Sequence, residues 1–68
     1  MKSIVPKARR IVRGARFRWY SDGRVFVVKA AGHRLVTYQI EGENLDRTAT
    51  RYSFGTWIGK HLLVPEMR

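Results

Sequence analysis

The sequence predicts an all-β fold: a small, five-stranded antiparallel, partly open barrel with a short N-terminal helix or arm and one helical turn before the last strand. Three observations carry this. Asp22-Gly23, the strongest short hairpin signal, sits between two runs rich in aromatic and β-branched residues. Further short apolar runs follow, separated by glycine-bearing or acidic turns. Finally, Phe54, Trp57 and Ile58 change the spacing from alternation to i, i+3, i+4 just before the short run Leu62-Leu63-Val64.

The N-terminal lead, Met1 to Pro6, reads as extended, because Pro6 disfavours helix at Val5. From Lys7, the pattern KARRIVRG sets Ala8, Ile11 and Val12 at helical spacing, with Gly14 where a helix C-cap would stand. About seven residues are too few for a helix that does not dock. The segment therefore reads as a docked two-turn helix or an ordered arm, and residues 1–13 are set apart from a single small domain over 14–68.

The first hairpin organises the rest. With Asp22-Gly23 as a two-residue loop, Trp19 opposes Phe26 and Phe17 opposes Val28, and all four fall on one face. The first strand covers about Ala15–Tyr20 and the second Val25–Ala30. Val25 to Val28 is apolar without a break, so Val25 and Val27 point away from the core face and need a cover. The candidates are Ile4, Val5, Ile11 and Val12 from the N-terminal segment, a second copy of the chain forming a homodimer over the Val25/Val27 face, or a partner.

An Ala31-Gly32-His33 loop opposes Val28 to Val36 and Phe26 to Tyr38, with a third strand over about Arg34–Ile40. Glu41–Asp46 is the most acidic connection, holding three of the five acids. Thr48–Phe54 reads as a fourth strand from its β-branched and aromatic content, and Leu62–Val64 as the last strand, closed by Pro65. The expected core is Phe17, Trp19, Phe26, Val28, Val36, Tyr38, Ile40, Phe54, Trp57 and Leu62.

In element order this resembles the SH3-like barrel superfold over about residues 14–65, on the strength of Phe17, Trp19, Phe26 and Val28 in the first hairpin and Phe54-Gly55-Thr56-Trp57 before Leu62–Val64. The chain departs from the peptide-binding members, having no long acidic first loop and no acidic cluster beside an aromatic groove. The resemblance implies architecture alone, because the superfold hosts many unrelated functions.

Sixty-eight residues make one small domain, with room for roughly a dozen large core side chains. With no cysteine, neither disulfides nor thiolate metal sites support it. Lack of cysteine fits a reducing cytoplasm, and neither a signal peptide nor an apolar run long enough to span a bilayer is seen. The expected protein is cytoplasmic and makes no membrane contact.

Charge points to the function. The formal net charge is +9, and residues 1–20 hold seven basic side chains and no acid. Such a concentrated field attracts polyanions. Within it, Arg16-Phe17-Arg18-Trp19-Tyr20 alternates, so that Arg16, Arg18 and Tyr20 face outward when Phe17 and Trp19 face in. The hairpin register adds Lys29 opposite Arg16, a like-charge pair that a phosphate would relieve. The candidate nucleic-acid-binding residues are therefore Lys7, Arg9, Arg10, Arg13, Arg16, Arg18, Tyr20 and Lys29, with Tyr20 as a stacking surface. The same residues also read as the solvated outer face of a small barrel.

Other chemistry finds little support. The two histidines, His33 and His61, lack further ligands at metal-site spacing. The five acids form no pair suited to acid–base work, and no nucleophile or phosphate-loop motif occurs. No enzyme, metal or cofactor is expected. Tyr52 and Trp57 read either as core or as anchors for a protein partner. The expected function is DNA or RNA binding through phosphates. The alternative is an adaptor or inhibitor, of the kind phages and mobile elements encode, docking the basic face on an acidic protein surface.

Overall fold

The computed structural model describes residues 11–66. Five strands, β1 (Arg16–Trp19), β2 (Val25–Ala31), β3 (Leu35–Ile40), β4 (Asp46–Thr50) and β5 (Leu63–Pro65), form one antiparallel sheet in the order β4-β3-β2-β1-β5. A single helix, α1 (Arg51–Gly59), joins β4 to β5. The sheet is open, with β4 and β5 as its edges. No described helix is long and apolar enough to cross a membrane.

One face of the sheet builds the core. Phe17, Phe26, Val28, Val36, Tyr38, Ile40 and Leu63 come from the strands, and Phe54 and Ile58 from α1. Phe17 and Phe54 meet edge to face with centroids 5.6 Å apart, and Phe26 stacks on Tyr38 at 4.9 Å. Trp19 and Trp57 are half-buried at the margin, 5.9 Å apart and nearly perpendicular. Seven of the ten expected core residues are buried. The two tryptophans lie against the core rather than in it, Ile58 is added, and Leu63 takes the place of Leu62.

Both hairpin registers differ from expectation by two residues, which leaves every face assignment intact. In the first, Phe17 faces Phe26 and Arg18 faces Val25. The connection is a four-residue loop, Tyr20 to Gly23, closed by Gly23 N–H donating to the Trp19 carbonyl at 3.0 Å. Only Gly23 takes positive φ (76°). Asp22 instead accepts the Arg24 N–H on Oδ1 at 3.0 Å, so its side chain shapes the turn without left-handed backbone.

In the second hairpin, Phe26 faces Ile40 and Val28 faces Tyr38. A bulge between Val28 and Ala30 then shifts the register, so that Ala31 faces Val36. Gly32 N–H donates to the Leu35 carbonyl at 2.9 Å, which leaves His33 and Arg34 at the tip.

The expected fourth strand ends early. Thr50 is extended (φ −67°, ψ 148°), and its hydroxyl accepts the Ser53 N–H at 3.0 Å, so it caps a helix that begins at Arg51. Tyr52 consequently lies on the solvent side of α1, 85% exposed, while Phe54 and Ile58 face the sheet. The helix closes with Leu62 N–H on the Trp57 carbonyl (2.8 Å), His61 N–H on the Ile58 carbonyl (3.1 Å) and His61 at φ 61°. That is the double hydrogen bond of a left-handed helix stop. It resets the phase of the last strand, so Leu63 rather than Leu62 points inward.

Residues 11–13 are not helical. Ala15 N–H returns to the Val12 carbonyl at 3.0 Å with Gly14 at φ 88°, a tight turn in which Gly14 is a turn residue and not a helix cap. Ile11 packs against the core and Val12 is exposed, so neither covers Val25 and Val27. The rest of the expected arm, with Ile4 and Val5, lies outside the described residues.

Candidate nucleic-acid interface

The sheet's outer face carries the strand-one arginines, as alternation requires. The register places Glu66, Arg16, Val27, Gln39 and Asp46 in one row, and Val64, Arg18, Val25 and Glu41 in the next. Arg16 donates from Nε to Glu66 Oε1 at 2.6 Å and from Nη2 to Glu41 Oε2 at 2.7 Å. Arg18 reaches Glu66 Oε2 at 3.2 Å. The Glu66 bond, and after it the Glu41 bond, holds the Arg16 guanidinium above its ordinary pKa.

Stretched between carboxylates on either side of β2, Arg16 lies across Val25 and Val27. Val25 is buried and Val27 half-buried. Register and ion pairing put the aliphatic stem of Arg16 on the same outer face as these valines, in a position to cover them. The expected Arg16–Lys29 repulsion is absent, because Arg16 faces Val27. Gly14 N–H and the Ala15 carbonyl both bond Val28, which brings Arg13 to the level of Lys29.

Tyr20 is 63% exposed at the far end of the strand, with its ring 5.7 Å from Trp19 and its N–H on the Leu62 carbonyl. Six strand residues, roughly 20 Å, separate it from the Lys29 end. The expected outer-face site is therefore divided: Arg16 and Arg18 are committed to glutamates, Tyr20 stands at one end, and Arg13 and Lys29 stand at the other. Lys7, Arg9 and Arg10 lie outside the described residues.

The remaining cations show a different pattern. Asp22 pairs with Arg24 at 3.0 Å and Glu43 with Arg47 at 3.1 Å, while Asp46 accepts from Gln39 at 2.7 Å. Among the described residues, Arg13, Lys29, Arg34, Arg51 and Lys60 make no ion pair. Four of these five converge on one end of the sheet. Arg13 is in the turn before β1, Lys29 at the β2 bulge, Arg34 at the β2–β3 tip and Arg51 at the first turn of α1. Arg51 N–H donates to the Arg34 carbonyl at 2.7 Å, and the Arg51 guanidinium lies 3.5 Å from the Ile11 carbonyl.

Asp22, Glu41, Glu43 and Asp46 belong to the opposite end, in or beside the β1–β2 and β3–β4 connections. Glu66, the fifth acid, lies beside Arg16 at the start of β1 and pairs with Arg16 and Arg18, so what gathers at the β2–β3 end is four of the five described cations without an ion pair. Arg34 and Arg51 escape a sequence reading because they are isolated in the chain; only strand order and the early helix start bring them beside Lys29 and Arg13.

Comparison with protein-family models, curated proteins and solved structures returns no match.

Proposed function

We propose that this chain is a non-enzymatic nucleic-acid-binding module that grips phosphates with the basic end of its sheet. The observation that carries the reading is the convergence of Arg13, Lys29, Arg34 and Arg51 from four separate segments, without an acid partner among the described residues. Outside the described residues, the sequence of residues 1–10 carries four further cations, Lys2, Lys7, Arg9 and Arg10. Gathering like charges costs stability unless a polyanion relieves it, and phosphate oxygens accept strong charge-assisted bonds from arginine. The strand order, with a helical segment between β4 and β5, supports an SH3-like reading of the architecture, here used as a scaffold for charge.

The test is a salt titration of binding to duplex DNA and to RNA, followed by fluorescence anisotropy. Four engaged phosphates give a log–log slope of about −4, and replacing Arg13 and Arg51 with Ala makes it shallower by about two. No affinity for either polymer at about 50 mM salt overturns the reading. An acidic protein surface would then be the partner to seek.

A further inference from the structure

Tyr52 is the most exposed large apolar side chain among the described residues, at 85%, and its ring meets no other ring among them. A lone exposed tyrosine needs no explanation, so its place in the fold carries the argument. It follows Arg51 directly, in the first turn of α1, and helical side chains lean toward the helix N-terminus. That N-terminus lies at the basic end of the sheet. Arg34 and Arg51 continue the β3–β4 ladder one step beyond Leu35 and Thr50, joined by the 2.7 Å bond from the Arg51 N–H to the Arg34 carbonyl. Such partners stand about 5.5 Å apart at Cα, and the next Cα along a chain is about 3.8 Å away. Tyr52 is therefore rooted within about 9 Å of both unpaired arginines. Leu35, next to Arg34, and Val12, next to Arg13, are exposed at the same end. Tyr20, the other exposed tyrosine, stands at the opposite end, in the β1–β2 connection.

Cations alone suit any phosphate polymer, but a free aromatic face discriminates between polymers. Along a duplex each base lies between its neighbours, so a surface tyrosine finds only sugar, phosphate and base edges. A single strand offers unstacked bases, and aromatic rings take these up with little regard to sequence. We infer that the nucleic acid bound at this end is single-stranded, with one base stacked on Tyr52 and the adjoining phosphates on Arg34 and Arg51. This rests on the nucleic-acid reading above and adds to it the strandedness of the polymer and the stacking residue. The stacking role passes from Tyr20 to Tyr52, because Tyr52 stands beside the gathered cations and Tyr20 does not. An anionic bilayer also attracts cations and apolar side chains, but helices that lie on membranes segregate the two onto separate faces. Here Val12, Leu35 and Tyr52 each adjoin a cation in the chain, which favours a ligand whose charged and apolar parts alternate.

The experiment measures affinity of the full chain for oligothymidine, oligouridine and a DNA duplex, each of about 20 nucleotides per strand, enough to cover a typical single-strand site. The expected result is tighter binding to a single strand than to the duplex at equal salt, and the two single-strand arms show whether DNA or RNA is preferred. Tyr52→Ala should weaken single-strand binding at least about five-fold, the lower bound for one lost base stack, with little change for the duplex. It removes no charge, so it should leave the dependence of affinity on salt unchanged. Tyr52→Phe keeps the aromatic face and should bind like the wild type, as should Tyr20→Ala. Arg34→Ala should weaken binding to all three polymers and make the salt slope shallower by about one. All three positions are exposed, and unchanged thermal midpoints show that the fold is kept. If the wild type binds the duplex as tightly as the single strands, the inference is overturned while the binding reading stands. A Tyr52→Ala variant that binds single strands like the wild type, or that weakens on duplex and single strands alike, also overturns it. A wild type that binds none of the polymers overturns both, and its capture by phosphatidylserine vesicles would identify a lipid surface as the partner instead.

Discussion

Arg51 donates its backbone N–H to the carbonyl oxygen of Arg34 at 2.7 Å. Two arginines seventeen positions apart are thereby held side by side, and neither has an acid partner among the described residues. Their repulsion is long-ranged in dilute salt and short-ranged in physiological salt, because the Debye length falls from about 30 Å at 0.01 M to about 8 Å at 0.15 M. The thermal midpoint should therefore rise over that range of sodium chloride. Exposed ion pairs contribute little each, so their weakening should not reverse the trend. A midpoint that falls with salt would show that the outer-face pairs outweigh the crowded end.

The core makes a sharper demand. Phe54 is fully buried, in ring contact with Phe17, Tyr38 and Trp57. Phe54→Ala should cost about 3–5 kcal/mol, a large share of what so small a domain possesses. Leu63→Ala should cost about 2–5 kcal/mol, and Leu62→Ala distinctly less, since only Leu63 faces inward. Urea denaturation of the three variants checks both the magnitude and the phase of β5. Equal losses at the two leucines would refute the observed strand phase.

The pattern of apolar residues made the sheet and most of its core legible, because a strand's inward set follows from alternation alone. Register was not legible to better than two residues. Asp22-Gly23 suggests a two-residue loop, yet the Asp22 side chain closes a four-residue one without positive φ. The β2 bulge likewise has no sequence mark, since Lys29 is ordinary in a strand. Thr50 and Tyr52 favour strands, so the sequence pattern carries β4 too far, whereas the Thr50 hydroxyl accepts the Ser53 N–H and starts a helix. Of the candidate site, Arg13 and Lys29 are legible from charge and alternation. Arg34 and Arg51 depend on which strand ends meet, a tertiary fact. The glutamates that occupy Arg16 and Arg18 are distant in sequence for the same reason.

His61 holds φ 61° as the left-handed residue of the α1 stop, a position that favours glycine. A side chain in this conformation costs roughly 1–2 kcal/mol, offset in part by glycine's larger loss of backbone freedom on folding. His61→Gly should accordingly stabilise the protein by about 0.5–1 kcal/mol, which for a domain of this size raises the midpoint by several degrees. His61 is exposed and loses no described contact on replacement. Calorimetry of this single variant decides the matter, and destabilisation would mean that the imidazole makes an interaction of its own.

Arg16 and Arg18 lie two residues apart on the same face and pair with the same Glu66, yet they should behave differently on removal. Arg16 reaches from Glu66 across β2 to Glu41, with its side chain only 26% exposed, whereas Arg18 is 57% exposed and pairs on one side only. Arg16→Ala removes the stem that shields Val25 and Val27 and leaves two apolar side chains on an open sheet face. Such surfaces seek cover, so the variant should bind a hydrophobic dye or self-associate in sedimentation, and should melt earlier than the wild type. Arg18→Ala, which uncovers less, should do neither to a comparable extent. Arg16→Lys separates packing from the donor fork: it keeps the charge and an aliphatic stem but offers one nitrogen in place of the Nε and Nη2 that bond the two carboxylates, so it should restore monomeric behaviour more fully than thermal stability. If Arg16→Ala stays monomeric, takes up no dye and melts with the wild type, the valines are covered by something other than this arginine.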